Sequence, residues 1–572
     1  MSLAEFSQES VGDRGTLNLN AATALIQGLV EGGVLRAVLS PGSRSSPLAL
    51  AATHCPHLET TVIVDERSAA FFALGQARSG GGPVAVVATS GSAAANWYPA
   101  VVEASMDGVP LILISADRPA ELLQTGANQT IDQRRLFGDF PREFNELPPP
   151  GEVSLSFYAS VGRRAADKSQ WPLVGPVHIN AAFREPMLPA DARVVPTWPP
   201  RAKTTIARPE IRPSAASVGA LAARLSGQPG VIVCGRGSYP SGLARSICEL
   251  ATRLDCPVIA DPLSGLRWGR HRRDRILTAA DIFMRREGQM PQPDWVLQFG
   301  GVPTSRAIQE WLARTGEALL PVVPAGDWPE PSRSARTVIH SDPLPLVAAL
   351  LGSEPDPAPQ DWAAEWSGLD AAGSELVQQE SLRPPEADLV QVLEHSLPDA
   401  AWLFVGSSMP IRSVDAFARG RDRDLCVIGN RGASGIDGCV STVSGLADCR
   451  PGSFGLLGDL TLCHDMNGLL PGRDVAGTLI VVNNGGGGIF GLLPHHDRAE
   501  FEQLWRTPTG LQPEKMAALF GLPYAAATPD ETLARLLTEG NGEPGLRIIE
   551  VHVDADHSWA RHKALWRAAA RL

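Results

Sequence analysis

The chain has 572 residues, a formal net charge of −12, 44% apolar residues and 20% charged residues. A single core stops growing well below that length, so three domains are expected. The acid excess, with no basic run long enough to follow a phosphate backbone, excludes a nucleic-acid partner.

No segment stays apolar for the length of a membrane span, and Met1-Ser2-Leu3-Ala4-Glu5 is polar and acidic, without a stretch of signal length. Membrane insertion is not expected, and a cytoplasmic placement is. The eight cysteines are scattered without a Cys-x-x-Cys pair and read as reduced core residues.

From Leu19 to about Phe183, helical patterns alternate with the short apolar runs Val34–Ser40, Thr61–Val64, Val84–Ala88, Leu111–Ser115 and Val177–Asn180. That rhythm predicts a parallel sheet covered on both faces. The proline-rich stretch Pro189–Pro213 reads as a linker. The pattern resumes at Val231–Cys234, Val258–Ala260, Trp295–Phe299 and Val338–His340, and the polar, proline-rich segment Gly352–Pro385 marks the next boundary. The last part carries Trp402–Val405, Cys426–Ile428, Ser453–Leu457, Thr478–Val482 and Ile548–Val553, and a helix over Trp559–Leu572. The expected fold class is α/β, with three doubly wound parallel-sheet domains over 1–195, 205–360 and 380–572.

The chemistry concentrates after two of those strands. Gly458-Asp459-Leu460 opens a segment running to Asn467-Gly468, and the strand Thr478–Val482 ends in Asn483-Asn484. Magnesium takes oxygen ligands and usually only one or two protein carboxylates, the remainder coming from water and phosphate. An Asp and an Asn at adjacent carboxyl strand ends can supply that half-shell, where open α/β sheets bind ligands. The plain alternative is an Asp capping a helix and an Asn pair in a tight turn.

Gly-Asp, an intervening helix and Asn-Asn resemble the diphosphate signature of thiamine-diphosphate enzymes. The resemblance implies Asp459, Asn484 and the Gly486 carbonyl as ligands of magnesium or manganese. It also implies a carboxylate that drives tautomerisation of the aminopyrimidine ring, and Glu66 in Asp65-Glu66-Arg67 matches it in place and context. Read without the family, Glu66 is a first-turn acid favoured by the helix dipole, after an Asp65 N-cap.

Four longer stretches narrow the resemblance: Ser40 to Pro47, Ala116 to Leu122, Gly126 to Ile131 and Asn430 to Gly438. They are similar to motifs of the 2-succinyl-5-enolpyruvyl-6-hydroxy-3-cyclohexene-1-carboxylate synthase family of menaquinone biosynthesis. The implied activity is thiamine-diphosphate-dependent decarboxylation of 2-oxoglutarate and conjugate addition of the succinyl-semialdehyde carbanion to isochorismate. It also implies a homodimer, or a dimer of dimers, in which Glu66 and Asp459 meet across a subunit interface. The runner-up readings are another carboligase of the acetolactate synthase type and a catalytically silent metabolite-binding regulator with the same fold.

Both substrates are acids, and arginine holds carboxylates by paired, charge-assisted hydrogen bonds. Arg44, Arg118, Arg412 and Arg431 all follow strands. By family likeness, Arg412 and Arg431 face the oxoacid, and Arg44 and Arg118 face isochorismate. A surface or interface ion pair is the alternative for each. Arg306 stands where relatives usually carry a substrate-facing Lys, which preserves charge but not shape. Asn128, Gln129 and Ser43 can hydrogen-bond substrate without adding charge, although Ser43 beside Pro41-Gly42 is also an ordinary turn residue. Ser408, Ile436, Leu460, Ile489 and Phe490 fall where the family contacts the cofactor, with core packing as the other reading of the apolar ones.

Some neighbours are false leads. Gly485 to Gly488 follows a strand but lacks the G-x-G-x-x-G spacing of a dinucleotide site. His464 and Asp465 lie in the helix after Asp459, where a hard cation has no use for an imidazole. His495-His496 is likewise left out of the catalytic set.

Overall fold

In the computed structural model, the described residues are 11–198, 204–237, 239–324, 326, 328–539 and 542–572, with side chains from residue 14 onward. The segment Met1–Glu5 and residues 199–203 of the expected linker lie outside them. The described remainder of that linker contains no helix or strand, and the next helix starts at Ala215.

Three six-stranded sheets form, all of whose pairings are parallel. In spatial order the first is Glu59–Val62, Arg36–Leu39, Val84–Ala88, Leu111–Asp117, Val177–Ala182 and Phe144–Leu147. The third is Leu425–Ile428, Ala401–Val405, Ser453–Gly458, Ala476–Asn483, Gly545–His552 and Tyr524–Ala527. Counted from its own first strand, each runs 2-1-3-4-6-5, so the order reverses between the first strand and the third. In open α/β sheets, ligand-binding crevices open at such a reversal, beyond the carboxyl strand ends. The second sheet, Ile339–His340, Leu319–Val323, Trp295–Phe299, Gly230–Cys234, Val258–Ala260 and Ile276–Leu277, runs 6-5-4-1-2-3. Its reversal point is zipped shut by backbone: Gly235 N donates to Phe299 O (2.8 Å) and Gly301 N to Arg236 O (2.8 Å).

The central strands are buried on both faces and read as near-continuous Val, Ile, Leu and Ala. By internal contacts the chain divides into two compact units. One comprises residues 1–208, 430–451 and 464–475 and contains the first sheet. The other comprises 209–429, 452–463 and 476–572 and contains the second and third sheets. Within the first unit the helix Cys439–Cys449 packs on Glu66–Arg78, so closely that a Cβ at Gly75 or Gly445 would overlap the other helix's backbone.

Several expected elements shift. The strand expected at Thr61–Val64 is Glu59–Val62, and Val62 and Val64 are exposed rather than buried. It is an edge strand, with one side lacking a neighbour to cover it. Gly352–Pro385 is no mere boundary: Trp362–Gln378 is a 17-residue helix that buries Trp366 and ties Trp362 Nε1 to Gly230 O (2.7 Å). The last helix begins at Ala555, not Trp559, because Asp554 caps it by accepting from His557 N (2.7 Å). The strand Leu319–Val323 escaped notice because Pro321 sits inside it, and proline is a poor strand residue.

Candidate active site

The site residues fall into one group in each unit. In the third sheet, Ala401–Val405 and Ser453–Gly458 flank the reversal point and deliver Ser408 and Asp459 just beyond their ends. Asp459 begins the helix Asp459–His464, and its carboxylate accepts from the N–H groups of Leu460 and Gly486. Burial pushes that carboxyl up to about 6, only partly offset by those N–H groups, and nearby Glu550 raises it further. A carboxylate in this state lacks a counter-charge.

The asparagine pair divides its work. Asn483 accepts from Gly485 N (3.1 Å) and donates to Glu550 Oε1 (2.6 Å), so it shapes the turn. Asn484 Oδ1 is buried and has no hydrogen-bond partner among the described residues. A buried acceptor left unmade costs about 1–3 kcal/mol, which a hard cation would relieve. Gly486 has φ +131°, and a Cβ there would collide with the Arg506 carbonyl, so only glycine brings this backbone so close to Asp459. Its own carbonyl accepts from Gly488 N (2.9 Å) and keeps a second lone pair. Among the described residues, no three His, Cys, Asp or Glu side chains converge as a metal cluster. The donor set is one carboxylate with amide and carbonyl oxygens, which suits magnesium or manganese bridging to phosphate.

Ser408 is held at φ +71°, an uncommon backbone state for a side-chain-bearing residue, and its carbonyl accepts from Arg412 Nη1 (2.8 Å). Arg412 itself is exposed on the helix Met409–Phe417. Ile489 and Phe490 lie in a short 3-10 turn, half-buried. Phe490 packs on a small apolar cluster of Phe501, Ala555 and Trp559, which gives it a packing role as well. Arg306 is 85% exposed and pairs with Glu310 on its own helix (2.7 Å).

In the first unit, Glu66 opens the helix Glu66–Arg78, whose N-cap is Asp65 accepting from Ser68 N (3.1 Å). Asn467 Nδ2 donates to the other Asp65 oxygen (2.7 Å), and Arg67 donates to His464 O (3.1 Å). These contacts anchor the helix start to the segment following the metal motif. Glu66 is half-buried and is left without an ion pair among the described residues.

Arg44 and Arg118 are brought together. Burial and the neighbouring Arg44 hold the Arg118 guanidinium below its ordinary pKa. Arg118 Nη1 donates to Ser90 Oγ and to Gln129 O (2.7 Å), and Gln129 Nε2 donates to Ser90 O (3.0 Å). Arg44 is buried and already spends its donors on Phe183 O (3.0 Å) and Glu185 (2.8 Å). Ser43 and Asn128 are exposed beside them. Arg431 and Ile436 are half-buried in the loop 430–438.

Sequence reasoning missed what supports these groups. Glu103, buried in the helix Tyr98–Met106, accepts from Gly432 N (2.8 Å) and Ala433 N (2.7 Å) and pairs with Arg78 (2.9 Å). Burial raises its pKa against those partners. The one available signal was an acid on an otherwise apolar helix. Beneath Arg118, Asp117 accepts from its backbone N–H (2.7 Å) and from Asn180 (2.9 Å), and Asn180 accepts in turn from Ser115 and Gln133 (both 2.8 Å). Asp465 is structural: it accepts from Ser441 N (2.7 Å) and Oγ (3.2 Å). His495 and His496 pack against Trp505, Phe501 and Trp559.

Residues 19–136 match the family model described as the thiamine pyrophosphate enzyme N-terminal TPP binding domain, and residues 195–405 match the one described as the middle domain of thiamine pyrophosphate. The fold and site thus define a thiamine-diphosphate-dependent enzyme. Its curated relatives narrow the class. The 2-succinyl-5-enolpyruvyl-6-hydroxy-3-cyclohexene-1-carboxylate synthase of Dechloromonas aromatica is 42% identical over 94% of this chain and 99% of its own. Those of Chloroflexus aurantiacus and Geobacillus kaustophilus are 40% and 39% identical over 95% and 96% of this chain, and 95% and 97% of theirs. The chain belongs to this synthase family.

Proposed function

We propose that the chain decarboxylates 2-oxoglutarate and joins the remaining four-carbon unit to isochorismate by conjugate addition, the carboligation of menaquinone biosynthesis. The observation that carries the site assignment is the buried, partnerless Asn484 Oδ1 in the loop whose Gly486 N–H reaches Asp459. Asp459, Asn484 and the Gly486 carbonyl would hold magnesium or manganese, which would supply positive charge for the diphosphate. Thiamine diphosphate, when bound, supplies the electron sink that loss of carbon dioxide from a 2-oxoacid requires.

The chain's own residues bind, orient and move protons. Glu66 holds a proton toward the aminopyrimidine ring of the cofactor. Leu460, Ser408, Ile436, Ile489 and Phe490 seat the cofactor. Arg412 and Arg431 hold the oxoacid carboxylates; Arg44 and Arg118, with Ser43, Asn128 and Gln129, receive isochorismate; and Arg306 adds an outer positive charge. Pairing of Arg44 with exposed Glu185 supports an exchange in which a substrate carboxylate displaces Glu185.

The assembly in this reading is at least a homodimer, each site taking Glu66 from one protomer and Asp459 from the other, with a dimer of dimers as the larger form. The domains are 1–195, 205–360 and 380–572, one for each sheet. No described helix is long and apolar enough to cross a membrane, and the free cysteines agree with a cytoplasmic setting. The test is carbon dioxide release from 2-oxoglutarate with thiamine diphosphate and magnesium, followed by product formation on adding isochorismate. Release from pyruvate but not from 2-oxoglutarate would overturn the substrate assignment.

A further inference from the structure

Behind Arg412, in the same unit, lies a set of charged groups that the reaction as described leaves unused. Arg267, Asp261 and Asp415 are almost fully buried and Asp281 nearly so. Arg267 donates through Nε to Ala260 O (2.6 Å), through Nη1 to Asp415 O (2.7 Å) and through Nη2 to the Asp415 carboxylate. Asp415 lies three residues after Arg412 on the helix Met409–Phe417, one turn along the same face.

The two other acids reach a different segment. Asp261 accepts from Leu263 N (2.8 Å) and from Thr304 N (2.6 Å). Asp281 accepts from Ser305 Oγ (2.6 Å) and pairs with Arg285 (3.1 Å). Ser305 Oγ in turn caps the helix Arg306–Thr315 by accepting from Ile308 N (3.3 Å). The buried charges therefore end on one side at the helix bearing Arg412 and on the other at the residues just before Arg306.

These groups feel one another. Burial drives the Asp415 carboxyl up to about 7, Arg267 opposes it, and Asp261 and Asp281 push it further; Asp281 and Asp415 both favour the charged form of Arg412. Buried ion networks of this kind add little net stability over apolar packing, yet losing one member is costly. Such a network beside Arg412 points to a positional use.

We propose that Arg267, Asp415, Asp261 and Asp281 are positioning residues that fix the Arg412 helix against the Thr304–Arg306 segment and so set how tightly the 2-oxoacid carboxylate is held. The proposal rests on the reading of Arg412 as an oxoacid ligand. An uncharged Asp415 would let the helix settle differently, and Arg412 would lose the negative field that orients it. Asp281→Asn is the milder probe, since it can still accept from Ser305 Oγ.

The test measures KM for 2-oxoglutarate, KM for isochorismate, saturated turnover and thermal midpoint for Asp415→Asn, Asp281→Asn and Arg412→Ala. Both Asp variants should raise KM for 2-oxoglutarate about tenfold, with turnover and KM for isochorismate changed less than twofold. A fall in thermal midpoint with all kinetic constants of the folded fraction unchanged, or with all worsened alike, would overturn the proposal and leave a purely structural network. If Arg412→Ala leaves KM for 2-oxoglutarate unchanged, the ligand reading of Arg412 fails. A tenfold effect of the Asp variants in that case would overturn the route through Arg412.

Discussion

Glu66 illustrates how one side chain is proposed to carry two separable duties. As a first-turn acid it favours the helix dipole, worth about 0.3–1 kcal/mol, and it is a half-buried carboxylate without an ion pair among the described residues. Glu66→Gln keeps the shape and removes the proton exchange, so the fold and diphosphate affinity should persist while turnover collapses. Near wild-type turnover with saturating cofactor would refute the activating role. Asp459→Ala removes the proposed anionic ligand from a donor set otherwise made of neutral oxygens. Metal and cofactor affinity should fall together in titrations monitored by tryptophan fluorescence, and excess magnesium should restore part of both. Arg412→Ala or Arg431→Ala should impair carbon dioxide release from 2-oxoglutarate, read in a single turnover with an artificial electron acceptor. Arg44→Ala or Arg118→Ala should spare that step and damage addition to isochorismate. Each lost charge-assisted pair is worth on the order of 2 kcal/mol. Equal loss of both activities in all four variants would end the division of labour.

The loop 430–438 and the helix Tyr98–Met106 show how an element far along the chain is held in place. Gly432 and Glu103 are 329 positions apart, yet two successive N–H groups end on one buried carboxylate. Glu103→Gln can accept only through its single carbonyl oxygen, and its NH2 would face an N–H. The variant should cost about 1–3 kcal/mol in denaturant unfolding and speed hydrogen exchange at Gly432 and Ala433. Unchanged exchange there would show that the clamp is not what orders the loop. The parallel strands were legible because burial on both faces leaves long apolar runs, as in Leu111–Asp117. Short edge strands such as Phe144–Leu147 and Tyr524–Ala527 were not, since an edge is defined by a missing neighbour and leaves only a weak pattern in the chain.

For the folded chain as a whole, pH reports on buried titrating groups. Burial holds His178 down at about 3, where its Nε2 lies 2.8 Å from Ser115 Oγ. The unfolded chain protonates this histidine near 6.5 and the folded one does not, so its contribution is fully present above that value and is lost as pH falls toward 3. Asp465, raised to about 6 by burial, works in the opposite sense, gaining on acidification between about 6 and 3.8. Between pH 7 and 5.5, the stability advantage of the wild type over His178→Gln should shrink by about 1 kcal/mol. Equal pH slopes for the two proteins would contradict this. Binding acts in the same currency: thiamine diphosphate with magnesium at 100 times its dissociation constant should add about 2.7 kcal/mol. A chelator should abolish that shift if Asp459 and Asn484 hold the metal.

Sequence and structure divide along the range of the interactions involved. The parallel α/β class, the Gly458-Asp459 and Asn483-Asn484 signature, and Glu66 at a helix start were legible because each depends on neighbours a few residues away, and the ligand types follow from hard-ion chemistry. The resemblance singled out Asn484 as the proposed ligand, but the reason was not legible: Asn483 is claimed by Glu550, 67 positions on, and Asn484 Oδ1 is left without a partner among the described residues. Nor could local pattern show that Arg44 is paired with Glu185, that Glu103 clamps the Arg431 loop, or that Gly486 must be glycine because the Arg506 carbonyl abuts it. Hydrogen bonds and charges choose partners by distance in space, and only the folded chain sets those distances.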